Sequence, residues 1–357
     1  MRISFDAGII VDNKLYLSDN FSNSLLSLDL DIMEMDYIGS FPEETKTELL
    51  HKKAFEYKGR IIFVPFQGDN VHIYTPYNNT IDVLHIPHKI NERYAIADAA
   101  VVDSKIVIFP GNLSQPIITV NMNDLSVKSL GVIEHELLKK QSKSSQSFMS
   151  ISVKEHYIYS AVLKTHYILK YDVDNRSFEL IDTGVNDLVA VSINDYGMWL
   201  STQNGDIYQY DDATKSLSFT PINGNHIYNC HYLVVQIHGN VMALSAKGGE
   251  VFCFDFKSKA FEKISDDHVY ESEKDAFGYL YGGFVRYRDE ILLFPIRNGE
   301  PYLLSTSGMI NQIHYHMKES EQKKYKNNLL LNNLLKEGDN CLLSDYLNAI
   351  VSPKNHG

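Results

Sequence analysis

The sequence predicts an all-β chain, a seven-bladed β-propeller of four-stranded blades, followed by a short α-helical tail. The first observation behind this is a recurring hairpin motif. Asp, Asn or Thr closes an apolar strand and a hydrophobic residue follows six positions on: Asp29 with Met35, Thr75 with Ile81, Asn121 with Val127, Asp172 with Phe178, Asp211 with Leu217 and Asp255 with Phe261. The short polar side chain can bond the backbone of a tight turn, and the later residue starts the buried face of the returning strand. A seventh hairpin at Thr306 has its apolar residue displaced to Ile310 or Ile313. The second observation is the period. Successive turn residues lie 46, 46, 51, 39, 44 and 51 positions apart, the length of a propeller blade rather than of a helical solenoid repeat.

The other strands follow in order within each unit. Ahead of each motif lies a strand ending in a small residue or proline: NKLYLS at 13–18, GRIIFVP at 59–65, SKIVIFP at 104–110, HYIYSA at 156–161, YGMWLS at 196–201, GNVMALS at 239–245 and DEILLFP at 289–295. Before these come small-residue-rich strands such as ISFDAGIIV, YAIADAAVV and YLYGGFVRY. An innermost strand is crowded at the propeller axis. Ala7, Gly8, Ala97, Ala99, Ala100, Ser150, Ala190, Gly282 and Gly283 stand where backbones would approach closely. Seven units fill residues 1–316, and the first begins with its own inner strand, so no strand need be borrowed from the C-terminus.

Three long connections, 41–53, 134–147 and 266–278, join an outer strand to the next inner one. Propeller geometry puts them on the same rim as the loops between second and third strands. The remainder, 317–357, reads as a separate helical tail. MKESEQKKYKNN is solvated and helix-compatible, and NNLLLNNLLKEGDN follows it. Ser344 can then cap a short helix with Leu343, Leu347, Ile350 and Val351 on one stripe. Packing onto the propeller is the expectation for this tail, with a partner or self-contact as the alternative.

Composition narrows the function classes. Among 357 residues the net charge is −12, which argues against nucleic acid as a partner, since phosphate neutralisation needs clustered Lys and Arg. The three cysteines, Cys230, Cys253 and Cys341, have no CxxC spacing, so no disulfide framework or zinc knuckle is implied and a reducing, cytoplasmic compartment fits. No stretch approaches the ~18 apolar residues of a membrane span. The opening segment, MRISFDAGIIVDNKLYLS, reads as strand and not as a signal peptide. No cofactor or metal is expected. His314 and His316 share a strand face but have no third ligand nearby in sequence.

Segments such as IYQYDDATKSLSF at 207–219 and VFCFDFKSKAF at 251–261 resemble the outer hairpin of kelch-type propellers, in which an aromatic-Asp pair precedes a bulky residue by this spacing. The resemblance runs through all seven units, at that motif alone. The kelch glycine doublet is replaced by Ser18, Pro65, Pro110, Ser201 or Pro295, and the kelch tryptophan by Phe, Leu, Val, Ile or Met. The chain is therefore similar to a divergent kelch-like propeller, a fold that hosts enzymes and adaptors alike.

The candidate site is the loop-rich rim. Asp19, Gln67, Asn112, Gln115, Lys164, His166, Gln203, Lys247, Tyr279, Tyr281 and Arg297 are the ligand-binding candidates. They offer amides, aromatics and both charge signs, a lining suited to a peptide, protein or carbohydrate. The first expectation is accordingly a soluble intracellular binding or scaffold module. The alternative is a lyase or hydrolase on a peptide or polysaccharide in the axial pocket, with His51, His166 or His231 as base and Asp98 or Asp187 as orienter or acid. A His and a carboxylate bonded inside a closed cavity would favour the enzyme; a shallow open mouth would favour binding. The dense cluster His226, Cys230 and His231 is split by strand alternation, so Cys230 reads as a structural thiol.

Overall fold

The computed structural model describes residues 5–44, 48–86, 96–111, 115–133, 147–223, 232–245, 250–265, 281–295 and 300–331. Its strands form the seven four-stranded antiparallel blades of a propeller in chain order. Blade one is β1 (Gly8–Val11), β2 (Lys14–Ser18), β3 (Leu25–Asp29) and β4 (Glu34–Gly39); blade two is β5 (His51–Tyr57), β6 (Arg60–Pro65), β7 (Asn70–Thr75) and β8 (Thr80–His85). Blade three is β9 (Ile96–Val102), β10 (Lys105–Pro110), β11 (Ile117–Asn121) and β12 (Val127–Gly131); blade four is β13 (Ser152–Lys154), β14 (Tyr157–Ala161), β15 (Tyr167–Asp172) and β16 (Ser177–Asp182). Blade five is β17 (Leu188–Asn194), β18 (Gly197–Thr202), β19 (Ile207–Asp211) and β20 (Ser216–Thr220), followed by a short β21 (Ile222–Asn223). Blade six is β22 (Tyr232–Ile237), β23 (Asn240–Ser245), β24 (Val251–Asp255) and β25 (Ala260–Ser265); blade seven is β26 (Tyr281–Tyr287), β27 (Glu290–Pro295), β28 (Tyr302–Leu304) and β29 (Ile310–Gln312). Then come β30 (His316–Met317) and one helix, α1 (Glu319–Leu331). No helix among the described residues is long and apolar enough to cross a membrane.

The hairpin motif works as its chemistry dictates. Oδ1 of Asp29, Asn121, Asp172, Asp211 and Asp255 accepts the amide of the residue two positions on, at 2.8–3.0 Å. These five turns, and the Thr75 turn of blade two, close through a left-handed residue four positions after the motif residue: Met33, Asn79, Leu125, Arg176, Lys215 and Lys259, with φ between 53° and 58°. Only one of these is a residue type that tolerates positive φ well, so the side-chain cap and the strand pairing hold the conformation. Asp211→Ala is expected to cost ~1 kcal/mol in a denaturant melt, the net value of one such bond.

The chain divides into two compact units, Met1–Leu84 with His314–Gly357, and His85–Ile313. In the second unit, facing blades share apolar layers. Phe109, Phe148 and Tyr171 meet between blades three and four, and Trp199, Phe254 and Phe261 between five and six. In the first unit Ala7, Leu25, Phe41, Ala54 and Phe63 do the same between blades one and two. At Gly8 a Cβ would lie 2.5 Å from the Phe5 ring, so what the missing side chain admits there is a nearby aromatic ring rather than a neighbouring backbone.

Two fifth strands were not legible beforehand. β21 pairs parallel with β25, Ile222 opposite Phe261, and β30 pairs parallel with β4, Met317 opposite Met35. Blade one has its own inner strand as expected, yet the C-terminal segment still adds to that blade's outer edge. Met35 and Phe261 are the motif residues so bridged, and both are fully buried, whereas Ile81, Val127, Phe178 and Leu217 are half-buried.

The tail helix packs on blade one, and its sequence is less solvated than it reads. Tyr325, 1% exposed, donates its hydroxyl to Asp19 Oδ2 at 2.8 Å, and its ring meets Tyr37 edge-on. Asn328 donates to the Asn23 carbonyl and to Ser24 Oγ, and accepts from Ser40 Oγ. The leucine run beyond Leu331 and the stripe from Leu343 to Val351 lie outside the described residues.

Candidate functional site

The loops between second and third strands are stitched to the approaches of the inner strands by a repeating pattern of backbone bonds. In the second unit Ser147 N donates to Gly111 O at 2.8 Å and Leu163 N to Ser147 O at 3.0 Å. One blade on, Leu188 N donates to Thr165 O at 3.1 Å and Gln203 N to Asp187 O at 2.9 Å. The first unit repeats the arrangement, with Leu49 N on Asn20 O and Gln67 N on Leu49 O, both at 3.0 Å. Each approach segment thus accepts from its own blade's loop and donates to the loop before it. Backbone that would otherwise be mobile loop becomes a fixed belt from which side chains project.

A bulge recurs at the same place. In blades two, three, five and seven the first positions of the inner strand slip by one residue, past Lys52, Ala97, Val189 and Gly282. Such a bulge twists the strand and re-aims side chains at its end. Strand alternation alone gives no sign of it.

The second unit holds most of the described candidates. Lys164, Asp187 and Gln203 are exposed on the belt, Lys164 and Asp187 at left-handed turn positions with φ of 60° and 58°. Half-buried His166 rests its ring on Tyr167 and stands 3.9 Å from the Asp182 carboxylate. Gln115 is half-buried, and its Nε2 is shielded from solvent with no bonding partner among the described residues. Asp98 is turned inward instead: 8% exposed, its carboxylate accepts the Ala99 amide at 2.8 Å and the Ile151 amide at 3.3 Å. It ties blade three to blade four through the Ile151 amide. Asn112, His231, Lys247, Tyr279 and Arg297 lie outside the described residues, as do the His226–Cys230 pair and the Tyr281 side chain. Cys253 is a free, half-buried thiol whose pKa burial pushes up. A surface pocket of about 180 Å³, lined by His238, Arg286, Arg288 and Asp289, lies at the opposite ends of the strands.

In the first unit, Gln67 is half-exposed, but Asp19 and His51 are not on an open surface. Asp19 is fully buried and accepts from Ser22 Oγ and the Tyr325 hydroxyl. His51 belongs to a buried relay that sequence reasoning missed. Its Nδ1 is 2.7 Å from Ser18 Oγ, its Nε2 is 2.9 Å from His72 Nδ1, and His72 Nε2 is 2.9 Å from the Pro42 carbonyl. That carbonyl can only accept, which fixes the direction of the whole row. His72 Nε2–H donates to Pro42, His51 Nε2–H donates to neutral His72, and the Ser18 hydroxyl donates to neutral His51. Burial lowers both imidazole pKa values, His51 well below the usual range and His72 to about 4. Glu44 lies 3.8 Å from His72 and accepts the Asp69 and Asn70 amides; burial raises its pKa.

A Ser–His contact of this length has the form of an activated nucleophile. Ser18 and His51 are each 1% exposed, however, and every ring nitrogen is engaged. The relay therefore fastens the 42–44 segment of the first long connection to the end of β2, the start of β5 and the middle of β7. A histidine amid the apolar residues of NVHIYT was the available signal for it. Among the described residues no group of three ligands could hold a metal ion; His316 pairs with Glu34 at 3.4 Å.

The sequence matches no protein-family model and no curated protein. Similar solved structures share the propeller fold. An inactive variant of virginiamycin B lyase from Staphylococcus aureus, solved with quinupristin, has a TM-score of 0.59 at 10% identity over 82% of this chain and 92% of that one. BamB from Moraxella catarrhalis gives 0.50 at 12% identity over 87% and 85%, and a chain of the mitotic checkpoint complex gives 0.50 at 10% over 77% and 84%. At these identities the likeness shows a seven-bladed propeller fold, one found in lyases and in members of protein assemblies alike.

Proposed function

We propose that this chain is a binding module whose stitched rim takes a peptide, a protein or a carbohydrate. The observation that carries the reading is the belt itself: Lys164 and Gln203 stand exposed on backbone held in place by bonds to neighbouring segments. Preorganised loops lose little entropy on binding, so modest polar contacts convert into affinity. The enzyme alternative draws less support, because His51 is sealed in the relay and half-buried His166 faces the exposed Asp182 carboxylate at 3.9 Å. The outer-hairpin motif keeps a divergent kelch-type propeller as the family reading, and three cysteines without CxxC spacing keep the cytoplasm as the compartment. The test is a screen of the full chain against arrayed peptides and glycans, followed by titration of the best binder. Lys164→Ala with Gln203→Ala is expected to weaken binding at least about tenfold with an unchanged melting temperature. Binding that survives the pair, or turnover of the bound molecule, would overturn this reading.

A further inference from the structure

The outer edges of the blades are protected in different ways, and among the described residues one of them shows no such protection. β4 and β25 are covered by β30 and β21. β8, β12 and β16 carry exposed charges, Asp82, Lys128, and Glu179 with Asp182, while β29 has only three residues. Charges, short edge strands and covering segments are the usual means of stopping edge-to-edge pairing. β20, Ser-Leu-Ser-Phe-Thr, has none of them: it is five residues long, uncharged and uncovered among the described residues. Its own chain is poorly placed to cover it, since only residues 183–187 separate β16 from β17.

We propose that β20 is a self-association edge, at which a second copy of this chain pairs antiparallel about a two-fold axis passing through Ser218. The sequence of the strand is its own complement in that register. Ser218 opposes Ser218 and Leu217 opposes Phe219, so hydroxyl meets hydroxyl and apolar meets apolar, while Thr220, opposite Ser216, is buried in its own chain. The backbone groups are correctly turned. Leu217 sits one residue past the hairpin-closing pair Asp211–Ser216, as Phe261 does past Asp255–Ala260, and Phe261 points its N–H outward to the Pro221 carbonyl. By the same geometry Leu217 and Phe219 present their N–H and C=O outward, enough for four inter-strand bonds.

Exposure agrees: Phe219 is 57% exposed against Tyr208, and Leu217 is the motif residue that a fifth strand would finish burying, as happens at Phe261. Charge also selects the site. Two copies of a chain with net charge −12 must meet where charge is absent, and the adjacent Asp212 is already neutralised by Lys170 and Lys215.

Sedimentation and light scattering of the full chain over a concentration series test this. The unaltered chain is expected to form a dimer, strengthened by salt as the overall repulsion is screened. Ser218→Lys and Ser218→Glu each place like charges face to face and should weaken the dimer at least about tenfold, whereas an equimolar mixture of the two should restore it. Because Ser218 is exposed, neither change should alter the melting temperature read at a concentration too low for the dimer to form. As a second readout, Ser218→Cys should form an intermolecular disulfide under mild oxidation that the unaltered chain does not, since directly opposed residues of this kind lie ~4.5 Å apart. A chain that stays monomeric throughout would overturn the proposal and leave the edge to a strand of another protein. So would a dimer that both charge variants keep, or an equimolar mixture that stays monomeric.

Discussion

Phe261→Ala is expected to destabilise the chain by about 3–5 kcal/mol, the range for removing a fully buried aromatic ring. Phe261 is 0% exposed and lies 5.5 Å from the Trp199 ring and 5.4 Å from the Phe254 ring, where blade five meets blade six. Its backbone is fixed as well, with its N–H on Pro221 O at 2.8 Å and Ile222 paired beside it. The site therefore has little freedom to collapse into the void, which places the cost at the upper part of the range. Leu217→Ala, at the equivalent but half-buried position of blade five, should cost clearly less. Urea melts of Phe261→Ala, Leu217→Ala and Asp211→Ala should rank in that order, and Asp211→Ala exceeding Phe261→Ala would refute this account of the hairpin.

Acidification should loosen the first unit through the histidine relay. The His72 pKa is lowered by burial from 6.5 to about 4, so the unfolded chain binds the proton first as pH falls. The stabilisation is thus complete above about 6.5 and is lost between there and about 4, amounting to roughly 3 kcal/mol for this one group. His51 shifts in the same direction for the same reason, with the neighbouring His72 adding to it. Glu44 works in the opposite sense: raised by burial, it is most comfortable when protonated and trims the net slope as pH climbs. The lowered carboxylates of Asp172, Asp211 and Asp255 lose their contribution only below their ordinary value of 3.8, outside this window. His72→Gln can keep both relay bonds, accepting from His51 and donating to Pro42, without titrating. Its unfolding free energy should fall less steeply between pH 6.5 and 4; an unchanged slope would show that the relay is not the titrating element.

Part of the candidate site was legible for a plain reason. Lys164, Gln203 and Asp187 were placed on the rim by counting strands, because blade topology fixes which end of a strand each loop occupies. Asp19, Asp98 and His51 occupy the expected positions in sequence but turn inward, and what turns them is remote. Asp19 is engaged by Tyr325, 306 positions away, Asp98 by the Ile151 amide, 53 away, and His51 by Ser18 and His72, 33 and 21 away. A turn residue that bonds solvent and one that bonds a distant hydroxyl look the same in sequence.

By itself the sequence determined the repeat, the number of blades, the order of their strands and, in five blades, the residue that caps the turn; in blade seven the Met309 amide goes to Ser305 Oγ and not to the expected Thr306. Those features rest on contacts within a few residues, an Asp oxygen and an amide two positions on, or on an alternation that burial of one face imposes. Only the tertiary structure decided the rest. The two-residue strands β21 and β30 carry no periodicity, and they exist because an outer edge lies within reach with its N–H and C=O groups unsatisfied. The left-handed turn residues Met33, Leu125 and Arg176 defy local preference because strand pairing on both sides leaves the backbone no other path. The neutral state of His51 and His72 likewise belongs to the folded chain alone, since it follows from burial and from a carbonyl that can only accept.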